Sequence, residues 1–344
     1  MRQVKCVAHA RAGLLGNPSD GYGGKAIALC IADFHAQVCI EPSDRLRLSR
    51  GLQPGRAFAS IGAAIRDVGD SRYDEGVRLL RASMKRYFLA FPERAFQASA
   101  SLESRFLMRY ETDIPRQVGL AGSSAIVIAA LRALNEWFGT DLSSQAMAQM
   151  AWSAEVEDLG FSAGPMDRIV QSEEGIVAMD LAEEGDFSSY WSLIGVELPP
   201  LFMAWDPNGG SPSSLAHDSL KKRWRSGDPI VLKAVSQFRD LVDEGLILLK
   251  KNNHDGFRDA MTRNFRLRQT IFHVGQIDLE MVSIALSLGA GVKLCGSGGA
   301  VIGIPFSESD FSLLERAYRD KGYEFIRPVL KLSDSHRKSE SRNQ

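Results

Sequence analysis

The sequence predicts a chain that mixes strands and helices in two domains. Three observations point there. Apolar residues fall in strand-like runs, as in Val4–Ala10, Ile27–Ile40 and Val301–Ile304, and at helical spacing elsewhere, as in Asp74–Phe88 and Ile230–Lys250. The 344 residues suffice for roughly two domains. Between Gly185 and Ser189 the chain turns polar, which marks a linker. The expected domains are residues 1–190 and 191–331, with a tail at 332–344.

The elements follow in order. Val4–Ala10 reads as a strand and runs into Arg11–Gly24, a loop dense in Gly, Asn, Pro, Ser and Asp. That loop is too long for a hairpin turn, and long loops in compact domains are often functional. Ile27–Ile40 reads as a strand and Leu46–Leu48 as a short edge, whereas residues 50–70 show no clear pattern. Val77, Leu80, Met84, Tyr87 and Phe88 set a helix over Asp74–Phe88. Leu102–Glu111 alternates in part, as a strand does. Pro115–Ala125 then feeds an Ala-rich apolar helix that ends near Gly139. Leu142–Val156 is a second helix, with Ser143 as its cap. A small-residue loop, Gly160–Arg168, precedes a strand at Gly175–Leu181. Leu193–Trp205 is strand-like, and helices follow over Ile230–Lys250, His254–Phe272 and Asp278–Leu288. Lys293–Ala300 is a glycine-rich loop before the strand Val301–Ile304. Asp310–Lys321 is a helix and Phe325–Leu330 a last strand. Ser333–Gln344 has no apolar anchor and is expected to be disordered.

Composition excludes several classes. The chain is 44% hydrophobic and 24% charged, and its formal net charge is -1. No global basic field points to nucleic acid or an anionic membrane, so any anion binding must be local. No run approaches about eighteen apolar residues, so no membrane span is expected. The four cysteines form no C-x-x-C pair or zinc pattern, and Met1–Ala10 lacks a secretory apolar run. Reduced thiols and a cytoplasmic location are expected.

The loop Pro115–Ala125 carries the first functional signal. Backbone N–H groups at a helix start lack internal partners and sit at the positive end of the dipole. Glycines admit an anion close to that backbone, and serines add hydroxyls. The segment alone reads equally well as a phosphate cradle or as a helix start capped by Ser123 and Ser124. Neither a Walker loop nor a G-x-G-x-x-G fingerprint after a strand is present.

Three glycine-rich loops, at 11–24, 119–125 and 296–299, nevertheless stand in a telling order. Together they resemble the GHMP kinases, the family of galactokinase, homoserine kinase, mevalonate kinase and phosphomevalonate kinase. Arg11–Gly24 is similar to the family's first motif. Pro115–Ala125 is similar to its second, P-x-x-x-G-L-x-S-S-A, with Ala121-Gly122 where most members have one small residue. Gly296-Ser297-Gly298-Gly299 is similar to the third. Within the family the chain most resembles the glucuronokinase branch, through Leu15–Asp20, Gly76–Leu80, Ile114–Gln117, Met261–Arg268 and Gly296–Val301. Asn17-Pro18-Ser19-Asp20 stands where galactokinases usually carry Glu-His-Thr-Asp, which argues against galactose.

The resemblance implies an α+β, two-domain GHMP kinase fold. Its N-terminal domain would be ribosomal protein S5 domain 2-like, and its C-terminal domain a ferredoxin-like α/β sandwich. It implies an ATP-dependent kinase of the anomeric hydroxyl of D-glucuronate. The alternatives are a kinase of another sugar or small alcohol, or a non-catalytic regulator binding sugar and ATP. ATP, Mg²⁺ and a small sugar acid are the implied ligands. Pro115, Gly119, Leu120, Ala121, Gly122, Ser123, Ser124, Ala125, Gly296, Ser297 and Gly298 would hold the nucleotide. Ser124 and Glu155 would hold Mg²⁺, which takes oxygen ligands. Asp167 would orient or deprotonate the acceptor hydroxyl, and Arg11 would offset charge beside it. Asp20 would hold sugar hydroxyls. Arg116 and Arg168, with Lys25 and Arg11 as further cations, are the candidates for the substrate carboxylate.

Overall fold

Strands Val4–Leu15 (β1) and Lys25–Pro42 (β2) form the antiparallel hairpin on which the first sheet is built. A computed structural model describes residues 2–94, 105–182, 186–209 and 214–332. In it β1 follows one edge of β2 along its whole length. The other edge of β2 is shared by Phe106–Thr112 (β5) and Ile176–Asp180 (β6). Leu46–Arg50 (β3) and Arg56–Phe58 (β4) extend the sheet beyond β5, and Tyr190–Ser192 (β7) extends it beyond β6. Among the described residues only the β3–β5 pairing is parallel.

From Ala10 to Leu15 every residue of β1 is buried. Helix Gly122–Phe138 (α3) packs on this strand, as do Pro229–Lys250 (α7) and His254–Gln269 (α8). A strand buried on both faces loses the apolar–polar alternation of a half-exposed one. This corrects the reading of Arg11–Gly24 as a loop. Its first five residues are strand, and the turn proper holds a short 3₁₀ segment at Ser19–Gly21. The unpatterned stretch 50–70 contains β4 and the short helix Ile61–Ile65 (α1), capped by the Ser60 side chain. Glu75–Ala90 (α2) matches the expected helix. Ser144–Ser153 (α4) passes into a π-helical turn at Ala154–Asp158, and Met166–Glu173 (α5) follows.

The second sheet has the order β11-β8-β10-β9, from Phe202–Trp205 (β8), Gly291–Leu294 (β9), Ala300–Ile304 (β10) and Glu324–Ile326 (β11). With helices between β8 and β9 and between β10 and β11, this is the ferredoxin-like arrangement. The helices of this half are Ser214–Arg225 (α6), α7, α8, Gln276–Ser287 (α9) and Phe311–Arg319 (α10). The sequence reading missed α6 and β9. It also ran β8 and β11 too long, because irregular apolar segments flank each strand. Leu330 meets Ile31 in an isolated bridge. The expected domain break at 190/191 falls inside β7, and the chain changes sheet between Ser192 and Phe202. Leu102 of the expected strand, Gly185 of the expected linker and the tail Ser333–Gln344 lie outside the described residues.

One apolar core crosses both halves. It joins Leu14, Leu15 and Ile27 to Leu241, Val242, Phe257 and Met261. Gly245 of α7 is buried, and a Cβ there would run into Leu15 Cδ1. Gly245→Val is therefore expected to destabilise the chain by about 1–3 kcal/mol through overpacking. A urea melt checks this; an unchanged midpoint would mean that α7 is not pressed onto the hairpin.

Candidate active site

The cradle is set by backbone conformations that few side chains tolerate. Gln117, Gly119 and Ala121 have φ of 56°, 70° and 61°, and α3 starts at Gly122. A Cβ on Gly119 would lie 2.9 Å from Gly298 O and Ser297 N, so the second and third loops touch where only glycine fits. The unpartnered N–H groups at the start of α3 open onto a cleft of about 370 Å³. Arg11, Pro115, Arg116, Gly119, Leu120, Ala121, Gly122, Ser123, Ser124, Asp167, Arg168 and Ser297 line it. Ala125, Glu155, Asp20, Gly296 and Gly298 stand outside its lining. Ala125 is buried in the first turn of α3. The extra residue of the second motif is accommodated by Ala121 in the left-handed region just before the helix.

Arg11 joins the loops. Its Nε donates to Asp167 Oδ1 at 2.7 Å, and its Nη1 donates to Gly119 O at 2.7 Å and to Cys295 O at 3.3 Å. Burial works against its charge, but Asp167 and then Asp20 outweigh this and hold its pKa above the ordinary value. Asp167 lies in the first turn of α5, 18% exposed, facing the cleft.

Asp20 sits behind this pair, 7% exposed, packed so closely under Gly164 that a Cβ there would strike its carboxylate. Burial and then the charge of Asp167 push its pKa up to about 7, against Arg11 and the backbone N–H groups of Met166 and Asp20 itself.

Glu155 and Arg168, expected in separate roles, are paired. Both are buried, and Arg168 donates to Glu155 Oε2 from Nε at 2.7 Å and from Nη2. Its Nη1 donates to Gly164 O at 3.0 Å and lies 3.8 Å from Asp167 Oδ2. The Arg168 guanidinium is thus engaged by protein groups, whereas Glu155 Oε1 is buried without a hydrogen-bond partner. Lys25 is held between Asp180 and Asp243. Arg116 remains at the cleft mouth, 72% exposed and 4.0 Å from Glu75.

Several residues of the site carried no role in the sequence reading. Arg268 of α8 is buried and donates to Gly296 O and Ser297 O, each at 2.9 Å. Burial lowers its pKa to about 10. Four residues earlier on the same face, Asn264 accepts from Gly16 N–H at 2.7 Å and donates to Asn17 O at 3.2 Å. Lys293 of β9 is buried against the first loop; burial lowers its pKa to about 7, with the charges of Arg268 and Arg11 acting the same way and Cys295 and Asp20 acting against them. Asp278 receives the Gly299 N–H at 2.7 Å. For Asn264 and Arg268 the signals were polar residues at core positions of a helix and the family resemblance of Met261–Arg268; Lys293 and Asp278 had neither. Away from the cradle, Asp74, Tyr110 and Arg50 line the cleft, and the Tyr110 hydroxyl donates to Asp74 at 2.8 Å.

Comparison with known proteins gives the family. Residues 84–174 match the family model "GHMP kinases N terminal domain" and residues 246–324 match "GHMP kinases C terminal". The chain is 35% identical over 332 residues to probable glucuronokinase 2 of Arabidopsis thaliana, covering 93% of this chain and 89% of that protein. The chain belongs to the GHMP kinases. Glucuronokinase 1 of the same plant is also 35% identical, over 93% of this chain and 90% of its own. Solved structures share the fold at low identity. The mevalonate kinase of Methanococcus jannaschii has a TM-score of 0.74 at 16% identity, covering 96% of this chain and 98% of its own. The galactokinase of Lactococcus lactis has 0.75 at 13%, covering 96% and 94%. The protein is accordingly an ATP-dependent kinase. Among the described residues no helix is long and apolar enough to cross a membrane, and no cluster of three or more His, Cys, Asp or Glu side chains is placed to hold a metal.

The buried Asp20 gives a pH signature. Its folded value of about 7 lies above the ordinary 3.8, so its contribution to stability is fully present below about pH 4 and is lost as pH rises through about 7. Asn cannot ionise. The melting temperature of Asp20→Asn should therefore gain on wild type between about pH 4 and about pH 8. A pH-independent difference would contradict this placement of the carboxylate.

Proposed function

We propose that the kinase transfers the γ-phosphoryl group of ATP to the anomeric hydroxyl of D-glucuronate, giving glucuronate 1-phosphate and ADP. The observation behind this reading is the 35% identity to two glucuronokinases, sustained over 93% of the chain. The clustering of Arg11 and Asp167 beside the cradle supports it.

Phosphoryl transfer depends on positioning and charge neutralisation more than on covalent chemistry. In this reading the N–H groups around Gly119–Ser124 bind the phosphates, with Ser297 closing over them. Asp167 aligns the acceptor hydroxyl and takes up its proton as the new P–O bond forms. Arg11 keeps that carboxylate in place and offsets charge on the migrating group. Asp20 supports the acceptor from behind.

Mg²⁺ is the cation such a reaction uses, and the chain has groups that fit it. Ser124 offers a hydroxyl in the cleft wall, and Glu155 Oε1 is a buried oxygen without a partner. One carboxylate and one hydroxyl suffice, because Mg²⁺ keeps waters and takes substrate phosphate oxygens. When bound it would neutralise phosphate charge.

The engagement of Arg168 and Lys25 by protein carboxylates favours a second reading, a neutral sugar as acceptor. Arg116 is then the residue that separates the two. A coupled ADP-release assay over a panel of uronic acids and neutral sugars decides between them. Turnover on glucuronate is expected, and turnover on neutral sugars alone would overturn the substrate assignment. Asp167→Asn should lower kcat by about 10²–10⁴-fold; full turnover would contradict the mechanism.

A further inference from the structure

Lys293 does not line the cleft, yet it is 1% exposed in the middle of the assembly. Its neighbours in β9, Val292 and Leu294, are buried apolar residues on the opposite face of the strand. Its Nζ donates to Gly13 O at 2.7 Å, to Asn17 Oδ1 at 2.6 Å and to Leu294 O at 2.6 Å. An ammonium has three donors, and here three oxygens receive them. All three belong to neutral groups, and burying an amino group costs free energy that an apolar side chain would not, so packing alone does not explain the arrangement.

The three acceptors show what Lys293 fastens. Gly13 lies near the end of β1, two residues after Arg11, and its N–H donates to Cys295 O at 2.8 Å. Lys293 grips the carbonyl of the same residue. Asn17 begins the turn that leads to Asp20, and its side chain lies over Gly13, where a Cβ would come within 2.6 Å of Oδ1. Asn264 holds the other side of this turn through Gly16 N–H and Asn17 O. Ser19 N–H then donates to Gly16 O, and Asp20 follows in the 3₁₀ segment. One ammonium thus bridges both ends of the segment between Arg11 and Asp20 and anchors it to the strand that feeds the third loop.

We propose that Lys293 is a positioning residue of the kinase, which fixes the first loop against β9 and so sets where Asp20 stands relative to Asp167 and Arg11. It touches neither phosphate nor acceptor. The catalytic consequence rests on the kinase mechanism given above; the positional one does not.

Hydrogen exchange of the ligand-free enzyme and steady-state kinetics with Mg-ATP test it together. In Lys293→Met the amides of residues 16–24 should exchange about tenfold faster or more, with other sheet amides little changed. kcat/KM for the acceptor should fall about tenfold or more, while KM for ATP stays within about twofold. Lys293→Arg, which keeps a charge and several donors, should recover part of both. Exchange at 16–24 within about twofold of wild type in a folded variant would overturn the proposal, and so would an equal loss in the ATP and acceptor parameters. If Lys293→Met does not fold, Asn17→Ala removes one acceptor and must loosen the same amides, or the proposal fails. The acceptor is whichever sugar the wild type phosphorylates, so an error in the glucuronate assignment shows in the wild-type panel. The exchange measurement needs no acceptor at all.

Discussion

The Arg11 guanidinium is the constraint on which the rest of the site depends. Its donors reach Asp167, Gly119 and Cys295, residues 156, 108 and 284 positions away in sequence. A single planar group therefore fixes the candidate base, the cradle and the approach to the third loop relative to one another. Arginine suits this task because its donors form a rigid fork that stays charged when buried. Its place at the inner end of a strand matters as much. β1 is locked along β2 and covered on both faces, so Arg11 has little freedom to move.

The three loops meet closely enough that small residues are obligatory at the contacts. Gly119 presses on Ser297 and Gly298, and Gly296 lies where a side chain would strike both Gly119 O and Arg11. Such a junction has little apolar area to hold it. Its stability comes from buried side chains whose donors are matched to backbone oxygens, as with Arg268 on Gly296 and Ser297. A buried donor left unmatched costs about 1–3 kcal/mol. Among the buried atoms without a hydrogen-bond partner are Glu155 Oε1 and Arg268 Nε. Arg268 holds the third loop, and Glu155 is paired with Arg168 at the cleft wall.

Much of this was legible in the sequence, and what was not has a physical reason. The three glycine-rich loops stand out because turn residues and helix starts have local chemical signatures, whereas Arg11, Asp167, Ser123 and Ser124 were assigned their roles through the family resemblance those loops carry. The mixing of strands and helices followed from the apolar patterning, and the GHMP fold from the resemblance that the order of those loops carries. The inner half of β1 was read as a loop because Arg11 and Gly13 are not strand-like residues, and tertiary cover overrides such preferences. β9 was hidden because four residues beside a glycine loop give too short a pattern. The Glu155–Arg168 pair could not be foreseen. Thirteen positions apart on different elements, the two residues meet only once the helix widens into its π turn and the 160–165 loop folds back.

The central claim is that Arg11 shapes the cradle proposed to hold the nucleotide as well as serving Asp167. The most direct measurement is the calorimetric affinity of Arg11→Lys for a non-hydrolysable ATP analogue. Lysine keeps the charge but loses the fork that reaches Gly119 O. The account predicts affinity weaker by about tenfold or more, the equivalent of one charge-assisted hydrogen bond. An affinity equal to that of wild type, in a folded variant, would contradict it.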